Sequence, residues 1–338
     1  MRQIPVIALT GHLGAGKTTL LNHLLQTPGA RLGVVINDFG DLNVDAGLAI
    51  GQVDEVAGIS GGCVCCLPDS GGLGAALERL TEPRLRLDAV IVEASGVAEP
   101  SALAQLIRYS AVARVRPGGL IDVVDAVEHF ATIDRGGLAP ARYSAAGLIV
   151  INKIDRLPPP RREAVIERMV QRIRERNPRA RVITTTRGRI DPLLVFDAAL
   201  EPAPDGELSF AALTDADPDH DHHHPPADAV TVSTRRPVDP GRLADLLERP
   251  PAGVYRLKGA VTIDAGARRR RYAVNVVGRH IHLAPHPVDR GDDGLVAIGI
   301  QLDREGVSEH LERAVSPGPT GALGVGLRRL TRLRRLSI

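Results

Sequence analysis

The sequence predicts a doubly wound, mostly parallel α/β sheet followed by a smaller α+β domain. Three observations carry that prediction. Apolar runs of strand length recur at residues 4–9, 32–36, 87–92, 119–125, 146–151 and 181–185, with helical stretches among them, the pattern of a sheet covered on both faces. A glycine-rich loop of the form G-x-x-x-x-G-K-[ST] spans residues 11–18, between the first run and the first helical stretch. Beyond a break rich in Pro, Asp and His, short alternating runs follow closely, as in an antiparallel sheet.

A length of 338 residues is enough for two sizeable cores. The expected division is 1–204 for the α/β domain, 205–228 for the linker, 229–316 for the α+β domain and 317–338 for a basic tail. A net charge of +2 provides no global basic field for nucleic acid. Four Tyr, four Phe and no Trp leave few faces on which single-stranded bases could stack, so no nucleic-acid partner is expected. No uninterrupted apolar run approaches transmembrane length. The start of the chain leads directly into the glycine-rich loop, so a cleaved leader would destroy it, and the three cysteines form no disulfide framework. These features read as cytoplasmic.

The first run ends at the loop of residues 11–18. Gly11, Gly14 and Gly16, with Ala15 between them, let backbone N–H groups approach phosphates, because glycine adopts positive φ without a Cβ penalty. Lys17 places a point charge on the β- and γ-phosphates, and Thr18 offers a hydroxyl to Mg²⁺. Thr18 and Thr19 open a helical stretch to residue 26, whose N-terminus favours anions. The second run passes into a polar loop carrying Asp38 and Asp41, where a nucleotide switch would reach Mg²⁺ through a carboxylate or water.

Residues 61–67 read GGCVCCL. Thiolates are soft ligands for transition metals. Alternation lets Cys63 and Cys65 point the same way in an extended segment, with Cys66 reaching round after a turn. Three sulfurs leave a tetrahedral position open, as in a transfer site and unlike a closed structural one. The run at 87–92 then ends in Glu93, an acid placed to hold Mg²⁺ beside the phosphate strand. Gly96 follows and could present its N–H to a γ-phosphate; a helix is expected over 97–110, with Pro100 in its first turn.

The run at 146–151 ends in Asn152, Lys153, Ile154 and Asp155, an N-K-x-D sequence about 135 residues past the phosphate loop. A carboxylate at Asp155 can accept from guanine N1–H and the exocyclic amine, a donor pair adenine lacks. The stem of Lys153 can cover the base while Asn152 ties the loop down. Together these point to GTP. A charged amphipathic helix over 161–176 and the run at 181–185 complete the sheet.

The linker carries His220, His222, His223 and His224 among aspartates. It reads either as a solvated tether or as loose metal capture by imidazoles. Beyond it, strands are expected near 230–233, 254–263, 271–277, 280–283 and 295–302, with helices at 240–248 and 306–314. The arginines at 268–271 read as a solvated turn. The tail's leucines at 327, 330, 333 and 336 suggest a helix docked on the body.

With these residues in view, the chain resembles the CobW family of P-loop GTPases. GHLGAGKTT is similar to the family's phosphate loop, INDFGDLNVD to its first switch, GGCVCC to its cysteine motif, VEASGVAEP to its third motif and INKID to its base-reading motif. RPVDPGRLADLLE and YRLKG look like the start of its C-terminal domain. The resemblance implies a P-loop GTPase sheet that binds GTP and Mg²⁺, and GTP-dependent delivery of a metal to a client metalloprotein. Zinc is the first expectation, with cobalt or iron as alternatives, and a GTP- or metal-dependent dimer is possible. Lys17, Asp38, Glu93 and Gly96 would serve hydrolysis. Cys63, Cys65 and Cys66 would hold the delivered ion. Rival readings are a metal buffer or sensor with little turnover, a regulatory GTPase with structural cysteines, and a P-loop kinase.

Overall fold

The structure, a computed structural model, describes residues 3–37, 53–59, 71–94, 99–197, 226–264, 269–287, 293–316 and 323–336. Seven strands form the first sheet: β1 Ile4–Gly11, β2 Leu32–Asn37, β3 Val53–Ile59, β4 Ala89–Glu93, β5 Val115–Asp125, β6 Leu148–Asn152 and β7 Arg181–Thr184. Their order is β3-β2-β4-β1-β5-β6-β7, and every pairing is parallel. Parallel neighbours need crossovers, and these put helices on both faces.

Alternation along β1 sorts its side chains. Ile7 and Leu9 pack with α1 (Lys17–Leu25) through Leu20, Leu21 and Leu24. Val6 and Ala8 face the opposite layer, made by α2 (Gly71–Leu80), α3 (Pro100–Arg108) and, past a short turn α4 (His129–Thr132), α5 (Pro159–Arg176). Both layers are apolar and buried, and the carboxyl edge between them carries the loops. The helix expected over 97–110 runs from Pro100 to Arg108, since Pro100 supplies a preset φ at its first turn.

The second sheet comprises β8 Asp228–Thr234, β9 Val254–Asp264, β10 Arg269–Val277, β11 His280–His286 and β12 Asp293–Gly299, in the antiparallel order β11-β10-β9-β12-β8. Three helices, α6 (Pro240–Glu248), α7 (Arg304–Val315) and α8 (Leu323–Leu336), pack against it through Leu243, Leu247, Leu311, Leu330 and Leu333. Leu327, Leu330 and Leu333 of the tail therefore dock on the body as expected. Helix α8 approaches α6 so closely that a Cβ on Gly326 would run into the backbone nitrogen of Gly241. Its Arg329 donates to Asp245 at 2.8 Å and Glu248 at 2.7 Å.

One arginine reading changes. Arg271 is buried, and its Nε donates to Asp293 at 2.7 Å. Strand β10 needs a charge there because Asp293 of β12 also accepts from the N–H of Thr262 on β9.

The two sheets meet at the amino ends of β5, β6 and β7. Tyr255 and Val277 enter the first domain's core beside Ile121 and Leu148. Arg181 donates to the carbonyls of Gly253 and Ile300, both at 2.6 Å. After β7 a strap, residues 185–197, packs on the α1 face of the sheet and leads to the second domain. Its Asp197 accepts from Arg256 and Lys258 of β9, each at 2.9 Å.

Candidate functional site

The carboxyl ends of β1, β4, β5 and β6 converge around one loop. Between β1 and α1 the chain turns through Gly11, Gly14 and Gly16, with φ of 153°, 75° and 104°. At Gly16, positive φ combines with a close approach: a Cβ there would collide with Asn152 Nδ2. Only glycine meets both demands. Gly16 caps α1, so the first N–H groups of that helix face the loop.

Lys17 is buried, and its Nζ lies 3.2 Å from the carbonyl oxygen of Gly11 and 3.4 Å from that of His12. The ammonium thus folds back over the loop that it would share with a polyphosphate. Thr18 Oγ1 donates to Glu93 Oε1 at 3.1 Å. Glu93 is only 2% exposed, and it stands level with Leu9 in the β1–β4 register. A hydroxyl and a carboxylate meet here with no soft donor beside them among the described residues, an oxygen set suited to a hard cation. Thr19 sits one residue on, exposed at the start of α1.

From the other side Asn152 reaches across. Its Nδ2 donates to the carbonyl of Ala15 at 2.9 Å, and its Oδ1 accepts from the N–H of Gly188 at the same distance. One buried amide therefore joins the phosphate loop, the end of β6 and the loop after β7. Lys153 follows with φ of 64°, a left-handed conformation that costs a non-glycine residue energy and marks a constrained loop. Its ammonium pairs with Asp125 Oδ2 at 2.6 Å, which fixes the course of the alkyl stem. Asp125 Oδ1 accepts the N–H of Val127 at 2.8 Å, so the loop after β5 is held by the same carboxylate. Asp155 lies exposed on the single turn Ile154–Arg156, where its carboxylate is open to a ligand's donors.

Sequence reasoning did not single out Asp125 or Gly188. The signal for Asp125 is an acid closing the buried strand next to that of the N-K-x-D loop. Gly188 has φ of 65°, and a Cβ would stand 2.8 Å from the backbone nitrogen of Leu20. Its signal is a glycine just after the last strand of the sheet. A further layer lies behind Asp125. His129 is fully buried, and its Nε2 is 2.7 Å from the Tyr143 hydroxyl. Burial pushes its pKa down to about 4, so the ring is neutral at pH 7.

The structure thus gathers Gly11, Gly14, Ala15, Gly16, Lys17, Thr18, Glu93, Asn152, Lys153 and Asp155 along one edge. Asp38, Asp41, Cys63, Cys65, Cys66, Gly96, His220, His222, His223 and His224 lie outside the described residues. Their attachment points are described. Strand β2 ends at Asn37, one residue before Asp38, and β3 ends at Ile59, four residues before Cys63. Both strands run parallel to β1 in the same sheet, so both segments depart from the edge that carries the phosphate loop. Among the described residues no three His, Cys, Asp or Glu side chains gather as a metal site.

Comparison with known proteins identifies the family. The profile of the CobW/HypB/UreG nucleotide-binding domain matches residues 5–184, and that of the cobalamin synthesis protein cobW C-terminal domain matches residues 227–315. The zinc chaperone YjiA of Escherichia coli is 28% identical over 90% of this chain and 96% of its own length. The zinc chaperone CobW of a Sinorhizobium species is 27% identical over 82% of this chain and 86% of its own. Among solved structures, Zn(II)-bound YjiA GTPase from E. coli aligns over 94% of this chain and 100% of its own, with 24% identity and a TM-score of 0.44.

Proposed function

Since the chain belongs to the CobW/HypB/UreG family of P-loop GTPases, we propose that it is a GTP-hydrolysing metallochaperone, which binds zinc at Cys63, Cys65 and Cys66 in the GTP state and delivers it to a client metalloprotein. The observation that carries the reading is the Asn152 strut, with one amide on both the phosphate loop and the loop behind the base-reading Lys153 and Asp155. Relatives named as zinc chaperones support the choice of metal.

The chain's own groups suit this role. N–H groups of residues 14–18 and the Lys17 ammonium take the phosphates. Asp155 reads the guanine edge, and the Lys153 stem, pinned by Asp125, covers the ring. Thr18 and Glu93, with Asp38, would hold Mg²⁺, which neutralises phosphate charge when bound. Glu93 ends β4, and Gly96, three residues on in the sequence, would present its N–H to a γ-phosphate. The cysteine segment lies in the chain between the Asp38 segment and β4. A nucleotide that orders both neighbours would tighten the thiolates, and hydrolysis would loosen them.

Coupling of this kind is reciprocal, so zinc must tighten GTP by the factor by which GTP tightens zinc. Hydrolysis without a client is expected to be slow, because no arginine finger is assignable from the sequence. Titrating zinc into the protein loaded with a non-hydrolysable GTP analogue, and separately with GDP, tests the reading. The expected result is at least tenfold tighter binding in the first state, lost in Cys65→Ser. Equal affinity in both states would leave a metal buffer, and phosphate release unaffected by zinc would point the same way.

A further inference from the structure

A cleft of about 760 Å³ opens where the two domains meet, at the end of the sheet opposite the phosphate loop. Its walls come from the turn after α5, the loop after α6 and the tight turn between β10 and β11. Five arginines line it: Arg174, Arg179, Arg181, Arg249 and Arg279. Among the described residues the single carboxylate in the lining is Glu248, and α8 occupies it: Arg329 and Arg332 donate to its two oxygens at 2.7 and 3.1 Å. Those arginines hold the Glu248 carboxyl below its usual range. Among the described residues the positive charge of the cleft is left uncompensated.

Arg181 is the centre of that charge. Its Nη2 is spent on two backbone carbonyls, and its Nε is buried with no hydrogen-bond partner among the described residues. No described carboxylate pairs with it. Burial, and then the neighbouring Arg174, depress its guanidinium below the ordinary arginine range, a strain that an incoming anion would relieve. Of the other arginines, Arg279 donates to the amide oxygen of Asn177 and Arg174 to a backbone carbonyl. Arg249 has Asp245 at 3.8 Å, a carboxylate that Arg329 already holds.

The floor narrows the class of ligand. It is built from Gly147, Gly278, Ala252, Gly253 and the pair Pro250 and Pro251. Small residues let a backbone lie close, and with Tyr255 buried there is no exposed aromatic face to stack a nucleobase. Guanidinium forks suit carboxylates spaced along a chain.

We propose that this interdomain cleft binds an acidic, extended peptide segment of a partner polypeptide. It is a second site, on the far side of the sheet from the nucleotide, and it does not depend on metal delivery.

The test is fluorescence anisotropy with a labelled peptide of alternating Glu and Asp, using the full chain saturated with GDP and Mg²⁺ so that the phosphate loop is filled. Saturable binding that weakens with salt is expected. It should fall at least tenfold in the double variant Arg179→Glu, Arg249→Glu, whose side chains are exposed. The same reversal at Arg135 and Arg161, both exposed and outside the lining, should change it less than twofold. Binding must persist in Lys17→Ala, which separates this site from the nucleotide reading. Equal binding of a Gln peptide, or no loss in the cleft double variant, would overturn the proposal. So would tripolyphosphate binding at the cleft while the acidic peptide does not.

Discussion

Single side chains set the chemistry at the sheet edge. Lys17 carries a full charge into the loop and lies against two carbonyls that a phosphate would outcompete. Lys17→Ala is expected to weaken GTP by ~10- to 100-fold or more, the worth of a hydrogen bond to a charged group, measured by nucleotide titration. His129 gives a pH signature. Its folded pKa lies near 4 and its ordinary value is 6.5. Above 6.5 both folded and unfolded chains hold it neutral, and its contribution to stability is complete. As pH falls from 6.5 towards 4, only the unfolded chain takes up the proton, so stability drops by about 2–4 kcal/mol. In His129→Gln that loss should vanish, and urea melts of both proteins at pH 7 and pH 4.5 check it. A rise in the parent's stability on acidification would contradict the burial argument.

At the scale of elements, the parallel strands were legible because each is a continuous apolar run, the mark of burial on both faces. Strand β3 was not. Its sequence, VDEVAGI, carries two acids and a glycine, and it lies at the sheet's edge, where one neighbour suffices. Helix α2 escaped for a related reason: Gly71, Gly72 and Gly74 lower its propensity, and packing of Leu73, Leu77 and Leu80 on the sheet overrides that. The phosphate loop and the N-K-x-D loop were readable as strings with fixed spacing. The struts between them were not, because Asn152 finds Ala15 137 positions away. The loop after β7 tests that architecture. Gly188→Ala adds a Cβ against α1 at a positive φ, and should cost about 1–3 kcal/mol, together with a rise in the Kd for GDP. Unchanged stability and affinity would show the loop to be loose.

For the whole molecule, the second domain shares a core with the first. Tyr255 and Val277 pack beside Ile121 and Leu148, and Arg181 spans the junction. Tyr255→Ala should therefore cost about 3 kcal/mol or more and split one cooperative thermal transition into two by calorimetry. A single transition at the parent's temperature would mean that the domains stand apart. Composition spoke of two cores, but no local pattern could reveal this shared wall, since its residues look like ordinary strand apolars until the two sheets are laid together.

The strap from β7 to Asp197 gives that shared wall a mechanical meaning. Near its upper end Gly188 donates to Asn152, and at its lower end Asp197 grips Arg256 and Lys258. Between them Ile190 hydrogen-bonds His23 of α1, and Phe196 is fully buried. Tied at both ends and held midway, the strap links the loop that Asn152 anchors to β9 of the second domain.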